Sequence, residues 1–376
     1  MILDGCINLF FMKKLLVKFL LCGIFFPFIV SCIKDEAPNA ECDIERVILN
    51  NADILGVTIG NDRVVISAKP TIDLTSLSPE FILTPGATIY PESGTNHDFS
   101  TGVTYTVTSE DRKWSKDYEI KFNLSGPKTK YNFENFRIEN NPYCIFYEIN
   151  QGNVQDWASG NSGFALSGEG TSPELYPTYY SEDAKEGRYA LKLETKSTGS
   201  FGEKLKKPIA SGSLFLGSFN TTSAIINPLK ATQFGKDIVF SLKPLWLKGW
   251  YKYKAGANFT NKESQIIADR KDIFDVYAVL FDVTDLPANA NYLTGDNVLT
   301  SDAIVAIARL DNGEETDEYI EFNIPFEYRQ EYDKNKQEDY KYRLTIVFSS
   351  SKTGDVFEGA VGSVLLIDDV ELICEE

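Results

Sequence analysis

Histidine is almost absent from this sequence, since His97 is the single one among 376 residues. One histidine cannot build a zinc site that needs several, and it argues against Ser-His-Asp chemistry. Basic residues are also scarce, with 37 Lys and Arg against 54 Asp and Glu and a net charge of −17. Such a surface repels phosphate backbones, so we expect no nucleic-acid partner. Enzymes that use paired carboxylates remain open.

Sustained helical periodicity is missing too, and the chain is instead rich in aromatic residues, at 13%. Short alternating or β-branched runs, such as 63–67 and 103–108, are separated by Gly, Pro and charged turns, which is typical of β-sandwiches. The stretch 125–128 contains the breakers that divide two such regions. The sequence predicts an all-β protein, with an Ig-like β-sandwich over 45–125 and a larger jelly-roll β-sandwich over 129–376.

The N-terminus has the pattern of an export signal. Lysines precede an apolar run over 19–30, which is too short for comfortable membrane spanning and ends at Ser31-Cys32. This ending resembles the bacterial lipobox, which implies a signal peptide over 1–31, lipid on Cys32 and a tether over 32–44. The alternative is an ordinary secretory signal with an incidental cysteine.

The three residues Lys34, Asp35 and Glu36 resemble the surface-export signal of Bacteroidetes lipoproteins. That resemblance implies an outer-membrane protein that is held by its lipid anchor only and faces the cell exterior. A charged, solvated linker would have the same sequence.

Of the cysteines that remain after processing, Cys144 and Cys374 could pair in an oxidising compartment, although buried free thiols are the preferred interpretation.

The segment 246–254 alternates strictly and offers one candidate glycan-binding surface. One face of this strand carries Leu247 and Tyr251, which suits a core, and the other carries Trp246 and Trp250 among lysines. Indoles are costly to leave in water, so we expect something to cover them. A glycan could stack on them, or a loop of the same chain could fold over them.

A second candidate surface lies in a stretch rich in Gly, Ser and Pro, where binding side chains concentrate on loops. Trp157, Tyr179 and Tyr180 could form a stacking platform for a sugar, and Asn161 could read its hydroxyl groups. The alternative is that these aromatic residues close the edge of the sandwich.

Three further segments resemble a known family when they are taken together: 131–136 at the start of the second region, 187–195, and the closing strand 367–372 with its Asp-Asp-Val-Glu-Leu sequence. The opening and closing segments resemble galactose-binding-like jelly-roll modules, and the whole set resembles the putative carbohydrate metabolism domain of Bacteroidetes lipoproteins. In related modules the opening Glu and the closing Asp help to hold a structural cation, which implies calcium at Glu134 and Asp369. A carboxylate that caps a backbone turn is the alternative role.

These observations lead to three hypotheses about function. The first is a cell-surface lipoprotein whose jelly roll binds a polysaccharide or oligosaccharide, within a polysaccharide-utilisation system that includes outer-membrane glycan-uptake proteins. The second is a glycoside hydrolase, although no pair of carboxylates stands out: Asp369 and Glu371 share a predicted strand face but have a structural explanation. The third is a structural or adhesive surface protein. We assign no catalytic residue.

Overall fold

The computed structural model describes residues 38–375 except 52, 70–71, 125–127, 139–141, 151–152 and 288–289. The predicted signal peptide, Cys32 and the segment 34–36 lie outside the described residues, so these remain predictions. From Ala40 onward, the described residues form one compact unit. Within this part of the chain, no helix is both long enough and apolar enough to cross a membrane.

The N-terminal sandwich forms because short runs alternate between buried and exposed side chains. In β7 the buried residues Tyr118, Ile120 and Phe122 face the core, and charged residues lie between them. Five strands form one sheet in the order β2-β3-β7-β6-β5, in which β3 and β7 run parallel, while β1 and β4 form a two-stranded sheet. The strands are β1 (Ile44–Ile48), β2 (Ile54–Ile59), β3 (Arg63–Ala68), β4 (Glu80–Leu83), β5 (Thr88–Tyr90), β6 (Val103–Thr108) and β7 (Ser115–Asn123).

The C-terminal sandwich begins at β8 and contains the remaining elements. Its strands are β8 (Lys130–Tyr131), β9 (Phe136–Arg137), β10 (Ile145–Asn150), β11 (Asn153–Asp156), β12 (Ala158–Ser159), β13 (Thr178–Ser181), β14 (Ala190–Glu194), β15 (Lys196–Ser197), β16 (Ile209–Ala210), β17 (Ser213–Phe215), β18 (Gly217–Phe219), β19 (Thr232–Phe234), β20 (Pro244–Lys254), β21 (Phe259–Thr260), β22 (Asp275–Asp282), β23 (Ile304–Arg309), β24 (Thr316–Pro325), β25 (Glu327–Tyr328), β26 (Tyr342–Ser349), β27 (Gly359–Ala360) and β28 (Val364–Cys374). Its short helices are α1 (Asn161–Ala165), α2 (Gly199–Lys204), α3 (Thr221–Ile226) and α4 (Lys334–Glu338).

Two large sheets enclose the main core of this sandwich. Sheet A has the strand order β12-β17-β26-β22-β23-β25, and sheet B has the order β13-β14-β28-β20-β24, with β8 paired to β28. Every residue of β22 is buried, because the core covers one face of sheet A and long connections cover the other. The prediction of an all-β chain with two successive sandwiches is confirmed.

Cysteines 42, 144 and 374 are free thiols in the described part of the chain. Cys144 is buried in the core of the C-terminal sandwich, and burial raises the pKa of its thiol to about 12. Burial raises the pKa of Cys374 to about 11. Both thiols are therefore protonated at neutral pH. Both are free, as the preferred interpretation expected, but only Cys144 is buried, while Cys374 is partly exposed.

Candidate functional site

The strand β20 lies in sheet B between β28 and the edge strand β24, and it alternates as its sequence predicted. Leu247, Gly249, Tyr251 and Tyr253 are buried on the core side. Trp246 and Trp250 point to the opposite side, which we call the outer face of sheet B. Trp246 is the more accessible of the two indoles, with 39% of its surface exposed. An indole this accessible, on a regular strand, is available to a ligand.

Polar side chains flank Trp250 on the neighbouring strands, whereas Trp246 lies opposite Pro325 of β24 and Ile373 of β28. Lys248 lies between the two indoles on β20, opposite Asn323 of β24, while Trp250 lies opposite Glu321 of β24 and Asp368 of β28. Trp246 and Trp250 are four residues apart on one strand, so their attachment points are about 13 Å apart at ~3.3 Å per residue. A single sugar ring therefore cannot stack on both, but an extended oligosaccharide could.

The loop 182–189 folds over part of this face. The Lys185 ammonium lies 4.3 Å from the centre of the Trp250 ring, a cation–π contact. From the same loop, the Asp183 carboxylate accepts hydrogen bonds of 2.9 and 3.0 Å from the Lys252 ammonium, and its backbone carbonyl accepts one of 2.7 Å from the Tyr319 hydroxyl. A loop of the same chain thus covers Trp250 in part, as the alternative interpretation expected, and leaves Trp246 accessible.

Two carboxylates hold the loop 182–189 by its backbone. Oε1 of Glu134 accepts hydrogen bonds from the amides of Arg188 and Tyr189, at 2.7 and 3.0 Å. Oδ2 of Asp368 accepts them from the amides of Lys185 and Glu186, at 2.7 and 3.0 Å. Asp368 is fully buried, and burial raises its pKa although these amides favour the ionised form.

The structure gives Glu134 the turn-capping role and not the arrangement that calcium needs. Its Oε1 is committed to two amides, and Asp369 is exposed at a bulge of β28 with a positive φ of 46°. In the described ranges, no three Asp, Glu, Cys or His side chains come together as a metal-binding group. Calcium prefers 6–8 oxygen ligands, so the residues present do not fit a calcium site.

The same bulge corrects the prediction that Asp369 and Glu371 share a strand face. Along β28 the register moves by three residues, from Asp368 to Glu371, while β20 moves by two, from Trp250 to Lys248. Because of this extra residue, Asp368 and Glu371 both lie opposite residues of the outer face, namely Trp250 and Lys248. Both oxygens of Asp368 accept amide hydrogen bonds, the third coming from its neighbour Asp369, so Asp368 is committed to holding the backbone.

Two residues of the second predicted surface are buried, so the structure contradicts their assignment to glycan binding. Trp157 is 3% exposed and packs among Tyr131, Phe133 and Phe348, and its indole N–H donates a 3.0 Å hydrogen bond to Glu148. Asn161 is fully buried, and its side-chain amide both donates to and accepts from the backbone of Thr178. Neither side chain is accessible to a ligand.

Tyr179 and Tyr180 are half-buried on the edge strand β13. The Tyr180 ring is stacked on Phe136, with centroids 4.3 Å apart and an angle of 15° between the planes, and the Tyr179 ring is 4.3 Å from that of Tyr180. These contacts close the edge of the sandwich, as the alternative interpretation expected. Two strands separate β13 from β20, so the structure does not join these tyrosines to Trp246 and Trp250 in one platform.

Four residues of this site were absent from the sequence prediction: Asp183, Lys185, Tyr319 and Asp368. The signal available in the sequence was weak, because loop 182–189 reads as a polar turn and nothing local indicates that it lies over β20.

Burial raises the pKa of Tyr319, which packs beside the Lys252 ammonium at 4.6 Å from its ring centre. The site combines an accessible indole, a partly covered indole and hydrogen-bonding side chains, which suits the recognition of a ligand with apolar faces and hydroxyl groups.

Comparison with known proteins gives two family matches. Residues 132–373 match the family described as putative carbohydrate metabolism domain, and residues 44–121 match the one described as SGBP, N-terminal. Comparison with curated proteins finds no match.

Two solved structures are similar over most of their length. A putative glycoside hydrolase from Bacteroides thetaiotaomicron is 43% identical, with a TM-score of 0.84, and the match covers 91% of this chain and 99% of that one. A putative glycoside hydrolase from Bacteroides vulgatus is 39% identical, with a TM-score of 0.61, and the match covers 67% of this chain and 100% of that one.

Proposed function

Because this chain belongs to the putative carbohydrate metabolism domain family, we propose that its C-terminal sandwich binds a glycan on the outer face of sheet B. The observation that carries the proposal is the 39% exposure of Trp246 on a strand whose alternate residues form the core. A flat indole matches the C–H face of a pyranose ring, and neighbouring Lys248 and Asn323 can hydrogen-bond to hydroxyl groups. The ligand is an oligosaccharide or polysaccharide, because the two indoles are too far apart for one ring.

The proposal includes a place for the protein in the cell. Lipid on Cys32 would tether the chain to the outer membrane, with the export segment 34–36 directing it to the exterior. The N-terminal sandwich would then act as a spacer that holds the outer face of sheet B away from the membrane. An outward-facing glycan binder would work beside outer-membrane proteins that take up the same glycan.

A panel of soluble and insoluble polysaccharides tests the proposal, with retention in affinity gels and pull-downs as the readout. We expect Trp246→Ala and Trp250→Ala each to weaken retention about tenfold, the equivalent of about 1.4 kcal/mol. The matched control is Trp114→Ala, which removes an indole that is 62% exposed on the N-terminal sandwich. If both sheet B variants fold and are retained as strongly as the wild type, glycan binding on this face is wrong.

The same panel separates the other two hypotheses. The names of the two similar structures make a glycoside hydrolase the second candidate, and release of new reducing ends by the wild type would support it. Neither retention nor product would favour a structural or adhesive protein.

A further inference from the structure

A cleft separates the two sandwiches on the side where β2 and β3 approach β11 and residues 237–241. Its cavity volume is about 130 Å³. The alternating residues Arg63, Val65 and Ser67 of β3 line one wall, since Val64 and Ile66 between them point into the core of the N-terminal sandwich. Clefts between domains are preferred places for small-ligand sites.

Direct contacts between the sandwiches fix the walls of this cleft. Arg343, which is 4% exposed, donates a 2.9 Å hydrogen bond from Nη2 to the backbone carbonyl of Leu55. Gly56 packs so closely on Asp237 that an added Cβ would lie 2.9 Å from its Oδ1. The Lys69 ammonium lies 5.7 Å from the ring centre of Tyr340. A cleft held in this way is largely pre-formed, which lowers the ordering cost of binding.

Partners of opposite charge balance the charged residues on the walls. The Asp156 carboxylate accepts two hydrogen bonds from the Arg137 guanidinium, one of them 2.7 Å long, and Lys128 forms a 2.5 Å ion pair with Glu148. Arg63 contacts Asp62 at 3.3 Å. The fourth charged residue on the walls, Asp237, interacts electrostatically with Lys236 and Arg343. A charged ligand would have to displace one of these partners, so the cleft favours an uncharged one.

The uncharged polar side chains on the walls differ from the charged ones in their hydrogen bonding. The side chains of Thr58, Ser67, Gln155 and Ser241 line the cleft, and none has a hydrogen-bond partner among the residues that the structure describes. Hydroxyl and amide groups both donate and accept, which is what sugar hydroxyls require. The half-buried ring of Tyr340 adds a flat apolar surface to the same cleft.

From this arrangement we infer that the cleft is a second carbohydrate site, which takes one neutral sugar unit. By the measure of about 10–15 Å³ per water, its volume holds roughly ten waters, which limits the occupant to a monosaccharide or the end of a chain. The inference rests on the proposed function only for the class of ligand. The two sites share no residue, so one can be lost without the other.

Titration of the full mature chain with neutral monosaccharides tests the inference, by saturation-transfer NMR and calorimetry. The probes are glucose, galactose, mannose and xylose, with glucuronic acid and glucosamine as charged comparisons. We expect at least one neutral sugar to bind, and Ser67→Trp to abolish that binding by filling the cleft. The control is Thr104→Trp, which adds the same side chain at an exposed position of β6.

A milder variant keeps the test decisive if Ser67→Trp fails to fold. Gln155→Ala removes one side-chain amide from the wall, and we expect it to weaken sugar binding at least threefold while thermal stability is unchanged. Trp246→Ala should leave sugar binding intact although it weakens polysaccharide retention. The inference is overturned if no neutral sugar binds the wild type, if binding survives both cleft variants, or if the charged sugars bind more tightly.

Discussion

Replacement of Glu134 by alanine tests whether this carboxylate holds the loop 182–189 in place. One oxygen of Glu134 accepts the amides of Arg188 and Tyr189, and both bonds are lost in Glu134→Ala. Both amides would then turn to water, and the loop that carries Lys185 over Trp250 would lose one of its two carboxylate anchors. The variant should therefore affect both stability and the covering of the indole.

The expected size follows from the two bonds that are lost. A hydrogen bond to a charged group contributes about 1.5–3 kcal/mol, but water replaces part of this for a half-buried carboxylate, so we expect a loss of about 2 kcal/mol in all. For a domain of this size each kcal/mol shifts the melting temperature by roughly 2–4 °C, so the midpoint should fall by about 4–8 °C. Glu134→Gln keeps an acceptor oxygen without the charge, so its effect should be intermediate.

Thermal unfolding and hydrogen exchange of the protein provide the measurement. In Glu134→Ala, the amides of Arg188 and Tyr189 should exchange much faster than in the wild type. The control is Glu182→Ala, which removes an exposed carboxylate from the same loop and should change neither readout. Wild-type exchange and melting in Glu134→Ala would refute the capping role. A melting temperature that EDTA lowers in the wild type but not in Glu134→Ala would show that calcium binds this carboxylate after all.

Three further outcomes concern substitutions at other residues. Trp157→Ala should lower the free energy of unfolding by about 3–5 kcal/mol in urea titrations, because it opens a cavity in the core and removes the indole donor to buried Glu148. Gly187→Ala should lower the melting temperature, because Gly187 has a φ of +68° and a Cβ there would meet the capping carboxylate at 2.2 Å. The hydrogen bond from Lys116 lowers the pKa of Asp43, so its stabilising contribution is present above the ordinary value of 3.8 and is lost as pH falls toward the lower folded value. The free energy of unfolding of Asp43→Asn should therefore depend less on pH in the acid range than that of the wild type.

Regular strands were predictable from the sequence because alternation maps directly onto the faces of a sheet. The segment 246–254 shows this, since Leu247 and Tyr251 are buried and Trp246 and Trp250 are not, as expected. Trp157 was misassigned for a different reason. Its Gly- and Ser-rich surroundings indicate a loop, but whether a ring at the start of a loop turns outward or into the core depends on partners far away in sequence, here Phe348.

The sequence did not identify Asp368 as the capping carboxylate on β28, because a single extra residue interrupts the alternation of this strand. Strict alternation over 367–372 makes Asp369 and Glu371 equivalent, and the resemblance to related modules independently pointed to Asp369 as the closing carboxylate. A residue with a left-handed φ breaks that alternation, and Asp tolerates this conformation better than most residues, so the Asp-Asp pair is itself compatible with a bulge. With the bulge at Asp369, the preceding Asp368 lies opposite Trp250, where the loop 182–189 buries it. An acidic pair in a closing strand should therefore be read as two positions with different roles, one that bends the strand and one that binds the loop above it.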